Sequence, residues 1–149
     1  MRLALEKAAQ ALNCGNFPIG AALVVDGVCI DSEANSNLSD WTWTSHAEHK
    51  LMLRHSVRLR RAVQTERARI ELFSTFEPCL MCLSTAVFSR IRRIVYAVPD
   101  QNAGATSLDP SRLGEWYCRR WPVMQAGLLR EESEALIRKF KPIHPRTDD

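Results

Sequence analysis

Two cysteines three positions apart directly follow a proline, in the run Pro78-Cys79-Leu80-Met81-Cys82. Nothing else in the chain constrains its folding so tightly. Proline suits the first turn of a helix. A helix starting here places both thiols beside unpaired backbone N–H groups, whose partial positive charge favours the thiolate. Such a pair can grip one metal ion or act as a redox couple. If it grips a metal, the fold must deliver a third ligand from elsewhere in the chain.

His46 is the candidate. It opens the segment Ser45-His46-Ala47-Glu48, which reads as another helix start. One histidine and two cysteines would supply three protein ligands and leave a fourth position for solvent. That is the pattern of a catalytic zinc rather than a closed structural site. Zinc in such a site lowers the pKa of its water to about 7. Glu48 lies on the same helical turn as His46 and can face the open position without binding the metal, where a carboxylate can shuttle protons. Ser45-x-x-Glu48 also fits a capping box, with Glu48 reaching back to the Ser45 backbone N–H. His49 defines a rival set: His46, His49, Cys79 and Cys82 would close a four-ligand structural site. However, His49 lies about 300° around the helix from His46, and the usual finger order places the cysteine pair first. His55 and His144 read as ordinary helix-face and tail residues.

The pattern around these residues predicts an α/β layered domain. Residues 2–14 show helical spacing at Leu5, Ala8, Ala9 and Leu12, with Gly15 as a stop. Asp26-Gly27 joins two short apolar runs, 20–25 and 28–31, as a hairpin. Residues 32–45 are polar and read as a loop holding Trp41 and Trp43. A helix is predicted over 46–60, with Ala47, Leu51, His55 and Leu59 on one stripe. Strands are predicted over 69–75 and 93–98, with a helix between them bearing Leu80, Leu83 and Val87. Residues 99–127 are punctuated by prolines and glycines, with a strand or irregular segment around 119–126. A closing helix covers 129–140, and 142–149 read as a frayed tail. This order implies one domain over 1–149 with a partly parallel sheet.

Composition narrows the function classes. The 149 residues suffice for a buried core without disulfide staples. Five cysteines, an odd number with no secretion signal, argue against a disulfide framework. Cys14, Cys29 and Cys118 read as small buried thiols. No apolar run approaches the ~20 residues that cross a bilayer, so a soluble, cytoplasmic protein without membrane contact is expected. A net charge of +3 and a pI of about 8.7 are only mildly basic. Arg58, Arg60, Arg61, Arg67 and Arg69 form one basic neighbourhood, and Arg90, Arg92 and Arg93 another. Either solvated surface arginines or an RNA-binding patch fits them.

His46-Ala47-Glu48 followed by Pro78-Cys79-x-x-Cys82 resembles the zinc-dependent cytidine deaminase superfamily. Phe17-Pro18-Ile19-Gly20-Ala21 resembles the family's turn before its first strand. Phe76-Glu77-Pro78-Cys79-Leu80-Met81-Cys82 and Ser89-Arg90-Ile91-x-x-Ile94-Val95-Tyr96 resemble the branch of tRNA adenosine deaminases, guanine deaminases and fungal-type cytosine deaminases. The resemblance implies a three-layer α/β/α sandwich with a five-stranded mixed sheet. It implies one Zn2+ per chain on His46, Cys79 and Cys82, with Glu48 as the proton shuttle and a homodimer as the assembly. It implies substrate contacts from Asn35 and from the backbone N–H groups of Ala47 and Cys79. Two departures stand out: Asn35-Ser36-Asn37 and Trp43-Thr44-Ser45 replace the stretches usual in tRNA-acting enzymes, and the basic C-terminal extension is shortened, ending in Asp148-Asp149.

The leading expectation is therefore hydrolytic deamination of a small aminated heterocycle, a free nucleobase or nucleoside. The alternative is deamination of adenosine in tRNA, and the remote one a non-catalytic zinc-stabilised module. Trp41 and Trp43 suit stacking on a substrate ring, packing against the sheet, or contact with a partner subunit.

Overall fold

A computed structural model describes residues 1–141. The tail 142–149, with His144, lies outside the described residues. Five strands form one mixed sheet: β1 (Gly20–Val25), β2 (Val28–Ala34), β3 (Ile70–Phe76), β4 (Arg93–Val98) and β5 (Val123–Ala126), in the order β2-β1-β3-β4-β5. β1 runs antiparallel to both β2 and β3, whereas β3, β4 and β5 are mutually parallel. The helices are α1 (Arg2–Asn13), α2 (Ala47–Arg54), α3 (Ser56–Arg61), α4 (Leu80–Phe88), the short α5 (Glu115–Cys118) and α6 (Arg130–Lys139). α1 and α6 pack together on one side of the sheet; α2 and α4 pack together on the other. The result is a three-layer α/β/α sandwich around a five-stranded mixed sheet, as the resemblance implies.

The hairpin forms where Asp26-Gly27 predicts it, with both residues at positive φ (49° and 82°), as a two-residue hairpin turn requires. Leu23, Ile70, Leu72 and Ile94 from the sheet meet Leu51, Met52 and Leu83 from α2 and α4 in the core. β3 is central and buried on both faces, so even Glu71 is only 7% exposed. Arg69 and Arg93 pair with its carboxylate.

Several boundaries differ from expectation. β2 continues to Ala34, because Ala21 and Gly20 of β1 remain available to pair with Glu33 and Ala34. The helix predicted over 46–60 breaks at His55, whose Nε2 bonds Asp31 Oδ2 of β2 at 2.8 Å. The apolar stripe continues across the break into Leu59, so periodicity alone does not reveal it. Pro78 precedes the N-cap of α4, Cys79, instead of occupying the first turn. Leu80 faces solvent while Leu83 and Val87 are buried. Cys14, Cys29 and Cys118 are exposed rather than buried, since each lies at a helix end, on an edge strand or in a surface turn. The last strand forms at Val123–Ala126, within the segment where it was expected.

Gly20 lets α1 lie directly on β1. A Cβ there would sit 2.1 Å from the Ala4 carbonyl oxygen and 2.5 Å from the Ala8 amide nitrogen, both backbone atoms of α1. Gly20→Ala must lift the helix from the sheet. We expect a loss of about 3 kcal/mol and a Tm lowered by roughly 10 °C. Gly114, with open space around it, serves as the control: Gly114→Ala should cost about 1 kcal/mol or less. A thermal melt of the three proteins checks both.

Candidate active site

The two helices on one face of the sheet start side by side. His46 is the N-cap of α2 and Cys79 the N-cap of α4, both with extended backbone. Cys82 lies in the first turn of α4. His46 Nδ1 is 3.6 Å from Cys79 Sγ and 3.6 Å from Cys82 Sγ. All three ligand atoms lie within 4.8 Å of one another. Tetrahedral zinc with bonds of about 2.3 Å to sulfur and 2.0–2.1 Å to nitrogen separates such donors by about 3.5 Å. The residues present therefore fit zinc in distance and in donor chemistry. His49 stays outside: its Nδ1 is 3.1 Å from the Thr44 carbonyl oxygen, so the four-ligand structural set does not assemble among the described residues.

The fold favours charge on one sulfur before any metal binds. A hydrogen bond from the Cys82 thiol, opposed by burial and reinforced by the His46 imidazole, brings Cys79 down to about 4. The Cys82 backbone N–H also donates to Cys79 Sγ. The partner thiol is pushed strongly up, first by its hydrogen bond to Cys79 and then by burial. The pair thus keeps one thiol proton, which a metal displaces on binding. His46 is raised, chiefly by its hydrogen bond to Cys79.

Glu48 is 3% exposed and turns inward. Its Oε1 accepts a hydrogen bond from Ser74 Oγ at 3.0 Å, and its Oε2 lies 3.8 Å from Cys82 Sγ. Burial pushes its carboxyl above the usual carboxylate range, partly offset by its own backbone N–H and by His46. The capping-box geometry is not adopted. His46, not Ser45, caps α2, and no side chain caps its first turn. The N–H groups of Ala47 and Cys79 stand at helix starts, where the helix itself offers no acceptor.

Sequence reasoning missed two supports. Ser74, a buried hydroxyl on β3, holds the glutamate. Glu77 holds the loop opposite Cys79: its carboxylate accepts from the Asp100 N–H at 2.9 Å, and from the Thr106 N–H at 3.0 Å and hydroxyl at 2.6 Å. That loop places Gly104 beside Cys79 in a single antiparallel bridge. A glutamate before a Pro-Cys pair carries no local signal for this role, because its partners lie more than twenty residues downstream.

Residues 1–98 match the cytidine and deoxycytidylate deaminase zinc-binding region. The chain belongs to this family. The tRNA-specific adenosine deaminase of Agrobacterium fabrum is 33% identical over 140 residues, covering 94% of this chain and 90% of that protein. That of Aquifex aeolicus is 31% identical over 143 residues, covering 96% and 93%. A solved structure from work on A-to-I editing by tRNA:A34 deaminases superposes with a TM-score of 0.70 at 32% identity, covering 91% of this chain and 96% of that one. A guanine deaminase from Nitrosomonas europaea has the same fold, with a TM-score of 0.74 at 23% identity over 92% and 80% of the two chains. The protein is a zinc deaminase, a hydrolase of C–N bonds.

The remaining site candidates fall around this centre. Asn35 is 4% exposed, and its Nδ2 donates to the Phe17 carbonyl at 3.2 Å and Asn37 Oδ1 at 2.9 Å. Its amide is therefore fixed by the scaffold. Trp41 and Trp43, 94% and 91% exposed, do not pack against the sheet. No helix among the described residues is long and apolar enough to cross a membrane.

Metal analysis of the purified chain should return one zinc per protein. Cys82→Ser and His46→Ala should each lower occupancy by tenfold or more after dialysis, consistent with loss of one of three ligands. Gly104→Ala should also weaken retention, because its Cβ would sit 2.5 Å from Glu77 Cδ and displace the strand beside Cys79.

Proposed function

We propose that this chain deaminates adenosine in tRNA, converting it to inosine with release of ammonia. This was the second of the sequence expectations, behind a free base or nucleoside. The observation that carries it is the pair of indoles at Trp41 and Trp43, held in solvent on the loop that leads into His46. An enzyme acting on a base within a polynucleotide must take that base out of its stack. Exposed aromatic faces on that loop supply replacement stacking for it and its neighbours. Relatives about 30% identical over nearly the whole chain, named as tRNA-specific adenosine deaminases, support the same substrate.

Bound zinc supplies Lewis acidity that makes water nucleophilic at neutral pH. The chain does the rest. Glu48 accepts a proton from the water that attacks C6 of the adenine, and delivers it to ring nitrogen N1. It then takes the proton left on the new C6 hydroxyl and passes it to the amino group as the C6–N bond breaks. A C6–O bond has formed, and ammonia leaves. Burial of the Glu48 carboxyl raises its affinity for a proton, the direction required of a group that must hold a proton before passing it on. Ser74 holds Oε1 and leaves Oε2 on the side of the metal ligands. The N–H groups of Ala47 and Cys79, with Asn35, orient the ring.

Three experiments test this reading. Incubation with tRNA should produce inosine and one ammonia per site, whereas free adenine, guanine and cytosine should release little. The reverse preference would overturn the substrate. Glu48→Gln should keep zinc and lower turnover about a thousandfold or more. Trp43→Ala should raise the KM for tRNA about fivefold or more, the loss of one stacked base, with zinc content unchanged.

A further inference from the structure

The C-terminal end of α4 carries an arrangement the site does not use. Two guanidinium groups lie over the Trp116 ring: Arg120 Cζ is 4.4 Å from its centroid and Arg90 Cζ 4.9 Å. Phe88 and Tyr117 complete an aromatic cluster with centroids 4.9–6.1 Å apart. Phe88 is 61% exposed and Trp116 37%. Two like charges on one indole repel, so a carboxylate between them would be the ordinary remedy. None is there: neither Arg90 nor Arg120 forms an ion pair among the described residues. The nearby Glu115 is taken by Arg119, and Asp109 caps the turn at Pro110–Arg112. Arg90 Nη1 is buried without a hydrogen-bond partner. Arg120 spends one N–H on the Trp116 carbonyl at 2.8 Å and keeps the rest.

The backbone adds a second observation. Arg90 follows α4 in the left-handed region, with φ 61°. Glycine is the least strained residue at such a helix exit. Arg90 is held there without an ion pair over a partly exposed indole; with its Nη1 buried, the donors left for an anion are its other N–H groups and those of Arg120 not bonded to Trp116. Guanidinium groups recognise phosphate through paired donors, and stack on aromatic faces at the same time.

We propose that Arg90, Trp116 and Arg120 form a second contact for RNA, gripping phosphates of the tRNA backbone away from the reacting nucleotide. The inference rests on the tRNA reading above and extends it. α4 joins the two places: its N-terminus carries Cys79 and Cys82, and its C-terminus carries this patch. Its nine residues span about 14 Å, the length of roughly four stacked nucleotides at 3.4 Å each. A strand entering the site can therefore run along α4 to reach the arginines.

Labelled tRNA titrated onto the zinc-loaded chain at several salt concentrations tests it, read by fluorescence anisotropy. Arg90→Gly with Arg120→Ala should reduce the slope of log affinity against log salt by about 2, one for each lost phosphate contact. Affinity at low salt should fall about tenfold or more. Arg90→Lys with Arg120→Lys should restore the slope, because charge sets it. Zinc content and circular dichroism identify a folded variant. If the double variant does not fold, Arg120→Glu alone decides: weaker binding supports the contact, and unchanged binding overturns it. An unchanged slope and affinity in the folded double variant also overturn it, even if the chain edits tRNA. A patch-dependent slope without inosine formation keeps the contact and removes the substrate reading. No salt-dependent complex with tRNA overturns both.

Discussion

The site depends on two helix starts being forced together on one face of a sheet. An N-cap residue has an extended backbone, and the N–H groups after it have no acceptor within the helix. At α2 and α4 those positions hold His46 and Cys79. Bringing them together concentrates unpaired donors and partial positive charge at one point. The thiolate of Cys79 answers that charge, and the Cys82 N–H donates to it directly. Close approach is possible because Ala47 and Ala86, both fully buried, put only methyl groups into the core around these helices. Glu77 and Gly104 then fix Cys79 from the opposite side.

The same constraint separates the roles of the carboxylates. Glu48 is buried, and its ionised form is disfavoured by the loss of hydration. Glu77 accepts two backbone N–H groups and a hydroxyl, which tie its carboxylate to the loop. One turns inward beside the metal ligands; the other holds a loop. Both follow from environment, since the side chains are identical.

Much of this was legible in the residues. The metal ligands were readable because Cys-x-x-Cys after proline and a histidine at a helix start are local patterns with few chemical uses. The hairpin at Asp26-Gly27 was readable because a tight turn needs positive φ at both positions. What stayed hidden was tertiary. The break at His55 comes from Asp31 on a neighbouring strand, and the apolar stripe runs through it unchanged. The capping box at Ser45 matched its pattern, yet Ser74 on β3 offered Glu48 a buried partner instead. The exposed thiols were misread because residue type alone says little about a helix end or an edge strand. Charge was equally uninformative from counts. Arg69 and Arg93 sit in one linear cluster each, but both serve the buried Glu71, whereas Arg90 and Arg120, separated by thirty residues of chain, share one indole.

The loop before His46 is anchored separately from the metal ligands. Asn16, only 1% exposed, accepts the N–H groups of Leu38 and Ser39 at 3.0 and 2.9 Å, and donates to Ser39 Oγ at 3.0 Å. Lys50 donates to Ser36 Oγ at 2.7 Å, which in turn donates to Asp40 Oδ2 at 2.6 Å. The Ser36 N–H closes the loop on the Ser45 carbonyl at 3.0 Å. A loop tied at so many points could fold its two indoles onto the sheet and gain the free energy of burying large apolar surface. It holds them outward instead, with Trp41 in the left-handed region at φ 53°. Such an arrangement forgoes stability in the free protein, which is the signature of a surface shaped for contact. The metal ligands are anchored by the helices and the sheet, and the indoles by this separate network, so one can change without disturbing the other.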